Sequence, residues 1–200
     1  MKLEEVLEIQ NALNPTLFFH IKNICMNSLN WAYINNSAYG EMGIENDLKS
    51  PSFSNVPYIH QQRSSELTAF FESALMIILD KVNMQLVNLK RIRIGMMIKS
   101  DQNYINDPHI DDEEEHITAL LYLNTCNAPT ILYDKFYDKS SQKNVLEYIK
   151  DEPQEKMRIF KQIPSIENNV VIFNGYRYHS STIQTDTKQR IVVNFNFTIA

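Results

Sequence analysis

The last β-strand pattern of the chain, Arg190 to Ile199, constrains the fold more than any other stretch. Its side chains alternate between two faces, which is the two-residue period of a strand. One face is uniformly apolar and must be covered by another layer; it carries Ile191, Val193, Phe195, Phe197 and Ile199. The other face begins with Arg190, the one cation on this ten-residue run, so the pattern predicts a guanidinium that points into the protein.

Further strand patterns lie ahead of this segment, all of them from residue 91 onwards. They cover residues 91–98, 118–123, 130–136, 157–160, 170–173 and 178–182. Turn residues separate them, including the run 124–129 between the second and third patterns. Several short strands with turns between them are typical of a small β-barrel or sandwich.

The chain before about residue 85 has mostly helical spacing instead. The clearest helix is predicted from Ser65 to about Val82, where apolar residues recur every three or four positions and form one broad stripe. A stripe this wide must cover a sheet, and the apolar face of the last strand is the expected partner. Residues 3–13 and 17–34 are also compatible with helices, whereas 37–63 predict loops and short edge strands.

These patterns together predict a single α+β domain that is mainly β. At 200 residues the chain can bury one good-sized core. We expect residues 1–85 to form a mostly helical support region and residues 86–200 to form the β core. A highly charged stretch near 138–156 is expected to be a surface insertion, with a short helix around 145–149.

Composition narrows the class of partner and the compartment. The net charge of −5 provides no basic footprint, so nucleic acid is disfavoured as a partner. The two cysteines, Cys25 and Cys126, predict free thiols in a reducing compartment. No secretory leader and no membrane-spanning run is recognisable, so we expect a soluble cytoplasmic protein. The oligomeric state stays open.

A potential metal site begins at His109 and Asp111. Two residues apart on an extended segment, their side chains project to the same side and can bind one divalent metal. His179 lies at the start of a later strand pattern and offers a third ligand. Two histidines and one carboxylate with open positions form the ligand set of non-haem Fe(II) oxygenases. A buried Arg190 requires an anion, and a dicarboxylate ligand is one that fits its bidentate geometry.

Two other classes of function could use the same residues. A metal-binding β-barrel that acts as a sensor or binding module would retain the metal without turnover. Hydrolysis through a zinc-activated water is the third interpretation, although the sequence offers no evident general base and leaves Arg190 without a purpose. The oxygenase interpretation predicts that the protein binds a dicarboxylate, whereas these two alternatives do not.

The order of His109-Ile110-Asp111, His179 and Arg190 resembles that of the 2-oxoglutarate/Fe(II)-dependent dioxygenases, nearest the prolyl-hydroxylase-like branch. Leu121-Tyr122-Leu123-Asn124 is similar to the Tyr-Leu-Asn strand of that branch, and residues 169–174 resemble the strand before its distal histidine. The resemblance covers roughly residues 91–200.

This resemblance implies a double-stranded β-helix, a jelly-roll core, with N-terminal supporting helices. It implies that His109, Asp111 and His179 hold Fe(II). It also implies that Arg190, with the hydroxyl of Tyr122, binds the distal carboxylate of 2-oxoglutarate, and that O2 is the second cosubstrate. In the family, oxidative decarboxylation to succinate and CO2 is coupled to oxidation of a substrate, here a prolyl or other protein residue or a small molecule.

The substrate class is the least constrained feature. Met97-Ile98-Lys99-Ser100 lacks the tyrosine that the branch often places there, and residues 128–130 replace a common Gly-Gly pair. By position alone, four residues are candidates for the substrate mouth: Tyr104, Tyr176, Arg177 and Tyr178. His116, which follows the acidic residues 112–115, is predicted to be a solvated loop residue.

Overall fold

The computed structural model describes residues 5–34, 52–141 and 157–200 of the chain. Within them, two helices accompany eleven strands, which confirms the predicted α+β, mainly β class. The helices are α1 (Pro15–Asn27) and α2 (Thr68–Lys81). The strands are β1 (Leu7–Ile9), β2 (Ala32–Ile34), β3 (Ser52–Ile59), β4 (Gln62–Arg63), β5 (Leu86–Ile98), β6 (Ile117–Tyr122), β7 (Cys126–Phe136), β8 (Ile159–Ser165), β9 (Val170–Asn174), β10 (Arg177–Ser181) and β11 (Gln189–Ile199).

Two antiparallel sheets make up the β core. The larger sheet has the strand order β1-β9-β6-β11-β5-β3-β2, with β4 paired to β3, and the smaller sheet has the order β10-β7-β8. The chain before Asp111 runs along the free edge of β10, where Ile105 pairs with Thr182 and His109 pairs with His179. This segment extends the small sheet on the side where the predicted metal ligands lie.

Both helices pack on the outer face of the large sheet. Helix α1 begins with Pro15, and the side chain of Asn14 caps it by accepting a hydrogen bond of 2.9 Å from the Leu17 amide. Helix α2 buries residues three or four positions apart, among them Phe71, Leu75 and Ile78. These side chains share one apolar core with the face of β11 formed by Ile191, Val193, Phe195, Phe197 and Ile199, as the alternation predicts.

The inner face of the large sheet looks towards the small sheet. Residues of five strands form a second apolar cluster between the sheets: Leu120, Tyr122, Leu132, Ile163, Val171, Phe173 and Val192. Val192 lies on β11 between Arg190 and Asn194, so these two polar residues are directed into the same interior. The strand therefore separates an apolar support layer from a polar interior.

The N-terminal region is mixed rather than mostly helical. A helix is predicted over residues 3–13, but residues 5–13, the described part of that range, do not form it. Strand β1 pairs with β9 instead, with Leu7 opposite Ile172, because a short apolar pattern fits either structure until a partner strand is present. Helix α1 ends at Asn27, before the predicted end at residue 34. Strand β3 is an internal strand of the large sheet, between β5 and β2, rather than a short edge strand.

Other predicted boundaries shift less. Helix α2 begins three residues after Ser65, and β7 begins at Cys126, so it takes in part of the predicted 124–129 turn. A short 3-10 turn at Lys139–Ser141 lies at the start of the predicted insertion, and the predicted helix at 145–149 lies outside the described residues. No helix in the described ranges is long and apolar enough to cross a membrane.

Candidate metal centre

The two candidate histidine ligands are held by direct backbone pairing. The amide of His109 donates to the carbonyl of His179 at 2.9 Å, and the amide of His179 donates to the carbonyl of His109 at 3.0 Å. Their imidazole rings lie 4.5 Å apart between centroids. Because His179 sits within β10 and is only 3% exposed, the small sheet fixes the position of both rings.

Asp111 completes a group of three ligands. One ligand atom from each of His109, Asp111 and His179 lies within 4.8 Å of the others. The Nε2 atom of His179 lies 3.8 Å from Oδ2 of Asp111. The Nδ1 atoms face backbone carbonyls, at 3.1 Å from Asp107 O for His109 and at 3.2 Å from Arg177 O for His179. Donation of Nδ1–H to these carbonyls leaves Nε2 as the lone-pair atom that a metal requires.

The geometry of the three residues fits a divalent transition metal. Such ions hold nitrogen and oxygen ligands at about 2.0–2.2 Å, so two neighbouring ligand atoms on one face of an ion are about 3 Å apart. Closing from 4.8 Å to that spacing needs movements of about 1 Å from each of two side chains. The set of two imidazoles and one carboxylate on one side matches the facial triad of non-haem iron sites.

Four further side chains hold the carboxylate of Asp111. Arg91 donates to Oδ1 at 2.9 Å, and the hydroxyl of Thr118 donates to Oδ2 at 3.0 Å. The amide of Asn194 lies 3.0 Å from both oxygens, and the amide of Asn196 donates to Oδ2 at 3.0 Å. Asp111 is therefore oriented by its neighbours and has a side chain only 2% exposed.

Burial and charge keep Asp111 and His109 in the protonation states that metal binding requires. Burial would raise the pKa of Asp111, but the charge of Arg91, together with the nearby imidazoles, outweighs it and holds that pKa well below its ordinary value. Burial, with the charge of His179, lowers the pKa of His109 to about 3. A carboxylate and a neutral imidazole are the forms that bind metals.

A cavity opens beside the triad and contains the predicted guanidinium. His109, His179 and Arg190 all line it, and its remaining walls include Thr130, Met97, Leu120 and Val192. Arg190 is 2% exposed and donates from Nε to the hydroxyl of Ser165 and from Nη2 to the hydroxyl of Thr130, both at 2.9 Å. The structure thus brings Arg190 and the histidines together across one cavity.

Arg190 is held by neutral groups. Among the residues described here, no carboxylate forms an ion pair with it, and burial lowers the pKa of its guanidinium. The hydroxyl of Tyr122 donates to Thr130 at 2.9 Å, so Tyr122 and Arg190 meet at the same oxygen. Burial raises the pKa of Tyr122 to about 12, which keeps it a neutral donor. A buried cation with neutral partners is a suitable place for a ligand carboxylate.

The predicted substrate-mouth residues are not gathered at this cavity. Tyr178 is fully buried in an apolar cluster with Ile110, Ile131 and Tyr133 and does not line this cavity, so its contact with a substrate stays a prediction. Arg177 is also a buried packing residue: its guanidinium lies 4.3 Å from the ring centroids of both Phe136 and Phe160. Tyr178 therefore lies in the small sheet's own core, whereas Arg177 packs on partly exposed rings of β7 and β8; a sequence position between two turns reveals neither.

The two remaining candidates lie outside the cavity lining as well. Tyr176 is half-buried and its hydroxyl donates to the carbonyl of Glu113 at 3.3 Å. Tyr104 is half-buried, and its carbonyl accepts a hydrogen bond from the Ile183 amide at 2.9 Å. Substrate contact stays a prediction for these two residues.

His116 is not the solvated loop residue that its acidic neighbours suggest. It is 2% exposed, its Nδ1–H donates to the carbonyl of Glu114 at 2.7 Å, and its ring packs against Gly175. Burial lowers its pKa. The acidic residues 113–115 just before it are exposed, and the side chain of His116 is buried. The pattern of charges along the chain does not predict this change from exposed to buried.

Several residues at the site carry no recognisable motif. Asn194 and Asn196 could be placed on the inner face of β11 from alternation, but not against Asp111. Arg91 and Arg93 face inward from β5, and Arg93 lines the cavity with its Nε 3.1 Å from Ser54 Oγ. Thr130 and Ser165 come from two strands of the small sheet. Only the pairing of these strands brings them to Arg190.

Solved structures share this arrangement of sheets. A 2OG-Fe(II) oxygenase family oxidoreductase from Burkholderia pseudomallei is 8% identical with a TM-score of 0.63, and the match covers 96% of this chain and 85% of that one. A prolyl hydroxylase from Trichoplax adhaerens, in complex with a hypoxia inducible factor peptide fragment, is 14% identical with a TM-score of 0.55 and coverages of 96% and 83%.

A third solved structure contains bound cosubstrate. HygX from Streptomyces hygroscopicus, with nickel and 2-oxoglutarate bound, is 12% identical with a TM-score of 0.56, and the match covers 96% of this chain and 82% of that one. No protein-family model and no curated protein sequence matches the chain. At these identities the comparisons establish the fold: the chain has the double-stranded β-helix fold of the 2-oxoglutarate/Fe(II) oxygenases, as the sequence resemblance implies.

Proposed function

We propose that this protein is an Fe(II)- and 2-oxoglutarate-dependent oxygenase that couples decarboxylation of 2-oxoglutarate to oxidation of an organic substrate. One observation carries the proposal: a candidate ligand set of two histidines and one aspartate adjoins the same cavity as a buried arginine that pairs with no carboxylate among the described residues. The cavity is open to solvent, and its lining combines apolar side chains with a few polar and charged groups, as small-ligand sites usually do.

In this proposal the three metal ligands hold Fe(II) on one face. His109 and His179 contribute Nε2, since their Nδ1 atoms face backbone carbonyls. Asp111 contributes a carboxylate that its neighbours keep charged and in place. Bound together, Fe(II), 2-oxoglutarate and O2 supply the oxidative decarboxylation that produces succinate and CO2.

Arg190 would bind the distal carboxylate of 2-oxoglutarate. Ser165 and Thr130 accept from two of its N–H groups and orient the guanidinium, which leaves other N–H groups for the ligand. Tyr122 would also bind this carboxylate through its hydroxyl, which in the structure donates to Thr130. Met97, Leu120 and Val192 form apolar walls of the cavity and would exclude water from the bound cosubstrate.

A protein side chain, such as a prolyl residue, is the substrate class favoured by the peptide-bound prolyl hydroxylase that shares this fold. A small metabolite is the other candidate. Nucleic acid is disfavoured because the chain has a net charge of −5.

Anaerobic titration of the purified protein with Fe(II) and then 2-oxoglutarate tests the proposal. Chelation of Fe(II) by the keto acid produces a visible charge-transfer band that Fe(II) alone does not give. We expect this band in the wild type, and at a fixed subsaturating cosubstrate concentration we expect it to weaken in Arg190→Met. Arg177→Met is the matched control, because it removes a buried guanidinium that is not part of the cavity lining.

Three results would contradict the proposal in different ways. Fe(II) binding with no band favours a metal-binding module instead of an oxygenase. No Fe(II) binding removes the metal site itself. A band of equal strength in the wild type and in Arg190→Met removes the role of Arg190 and leaves the metal assignment intact.

A further inference from the structure

The carboxylate of Asp111 is already saturated with hydrogen bonds from the protein. An ionised carboxylate offers about four lone-pair positions. Four side chains occupy them: Arg91, Thr118, Asn194 and Asn196. A metal ion that binds Asp111 must therefore add to, or displace, one of these donors.

Asn194 occupies a particular position among the four. Its Nδ2 atom lies 3.0 Å from Oδ1 and 3.0 Å from Oδ2 of Asp111, so it faces the edge between the two oxygens. That edge is where an ion would lie if both oxygens bound it. Asn194 also lines the cavity with His109 and His179, so it stands on the side from which the metal is approached.

Asn196 holds Asp111 differently. It is 1% exposed, and its amide donates to Asp111 Oδ2 at 3.0 Å and to Thr118 Oγ1 at 3.1 Å. Its side-chain oxygen Oδ1 accepts a hydrogen bond from Nε of Arg91 at 2.9 Å. Asn196 therefore links the other donors to one another and supports the carboxylate without being part of the cavity lining.

The geometry points to Asn194 as a positioning residue that restricts Asp111 to binding a metal through one oxygen. Its amide competes with the metal for the carboxylate edge, which weakens metal binding and keeps a coordination position free for the cosubstrate. This inference rests on the metal site of the proposed function but not on 2-oxoglutarate binding. It assigns opposite effects to the two asparagines, although both donate to the same carboxylate.

Titration with Mn(II), followed by the EPR signal of the free ion, tests the inference without any turnover. For Asn194→Ala we expect Mn(II) affinity to rise about tenfold, since a hydrogen bond to a charged group no longer has to be given up. Water-proton relaxation should show fewer water molecules on the bound Mn(II) than in the wild type. For Asn196→Ala we expect Mn(II) affinity to fall, because Asp111 loses its support.

Circular dichroism of each variant before titration establishes that it is folded. Asn194→Ser is the second variant, since its hydroxyl keeps a polar group at the position but is too short to reach both oxygens; we expect the same direction of change. Equal or weaker Mn(II) binding in the folded Asn194 variants, or unchanged hydration of the bound ion, would overturn the inference. A wild-type protein that binds no Mn(II) would overturn both this inference and the metal site from which it starts.

Discussion

His109 and His179 face each other as a hydrogen-bonded pair across two antiparallel segments, with both backbone hydrogen bonds formed at 2.9 and 3.0 Å. This pairing joins the loop before Asp111 to the edge of the small sheet. Both imidazole rings are attached to this hydrogen-bonded backbone pair. The backbone therefore sets the spacing of the two candidate ligands before any metal is present. The site is preorganised by β10, and its chemistry depends on that strand.

Metal addition should stabilise the protein through this pair. At a free Mn(II) concentration about 100-fold above the dissociation constant, the free energy of unfolding should rise by about 2.7 kcal/mol. Thermal or urea unfolding with and without Mn(II) measures the rise. We expect His179→Ala to lose it and His20→Ala to retain it, because His20 is an exposed residue of α1 remote from the triad in the fold. Equal stabilisation of both variants would contradict the assignment of His179.

Thr130 should matter to stability because it accepts two buried hydrogen bonds. In Thr130→Val, the hydroxyl of Tyr122 and Nη2 of Arg190 lose their acceptor, at a cost of about 3 kcal/mol. Urea unfolding measures this cost. In a Tyr122→Phe background, Thr130→Val should cost about 1 kcal/mol less than in the wild type, because one of the two donors is already absent. Identical costs in both backgrounds would mean that Tyr122 and Thr130 are not coupled.

Alanine substitutions at Gly175 and Gly95 should have different effects on stability. A Cβ at Gly175 would lie 2.2 Å from ring atoms of His116, so Gly175→Ala should destabilise the protein by about 3 kcal/mol. A Cβ at Gly95 meets no heavy atom within 4 Å, and Gly95→Ala should be neutral or stabilising by up to about 1 kcal/mol. Denaturation of the two variants side by side decides this, and an unaffected Gly175→Ala would show that His116 can move aside.

The metal-free protein should lose stability as pH falls below about 6.5. Burial lowers the pKa of His109 to about 3 and also lowers that of His116, so the unfolded chain binds protons in this range that the folded protein does not. Stability is thus present above pH 6.5 and declines below it, by up to about 1.4 kcal/mol per pH unit for each histidine.

Urea unfolding at several pH values between 7.5 and 5 measures this slope. His116→Asn is the control, because its amide can still donate to the Glu114 carbonyl but does not titrate. We expect this variant to show a shallower slope. A slope equal to that of the wild type would mean that folding does not lower the pKa of His116.

Arg177 should contribute to stability and not to the binding of small ligands. Its guanidinium lies between the rings of Phe136 and Phe160 and donates to the carbonyl of Tyr133 at 2.6 Å. Arg177→Met should therefore lower the free energy of unfolding by about 2 kcal/mol. Unfolding by urea gives the value. An unchanged stability, combined with weaker substrate binding once a substrate is known, would return Arg177 to the mouth of the site.

Local sequence patterns were sufficient to predict those strands and helices in which each face has the same kind of environment along its whole length. The alternation in β11 and the stripe of α2 predicted both the strand with its two faces and the helix that covers one of them. The same alternation placed Arg190 inside, and the spacing of His109 and Asp111 predicted two ligands on one side. In each case the signal lies between residues close in the chain, where backbone geometry alone decides which side chains share a face.

Only the tertiary structure decided which distant groups meet. The strand at Leu7–Ile9, the burial of His116, the packing of Arg177 and the hold of Asn194 on Asp111 all depend on a partner far away in the sequence. A short apolar run or a single polar side chain has no preferred structure of its own, since its free energy is set by what it contacts. The amino-acid sequence by itself therefore determined the ligand types and their faces, whereas sheet pairing determined how they are assembled and constrained.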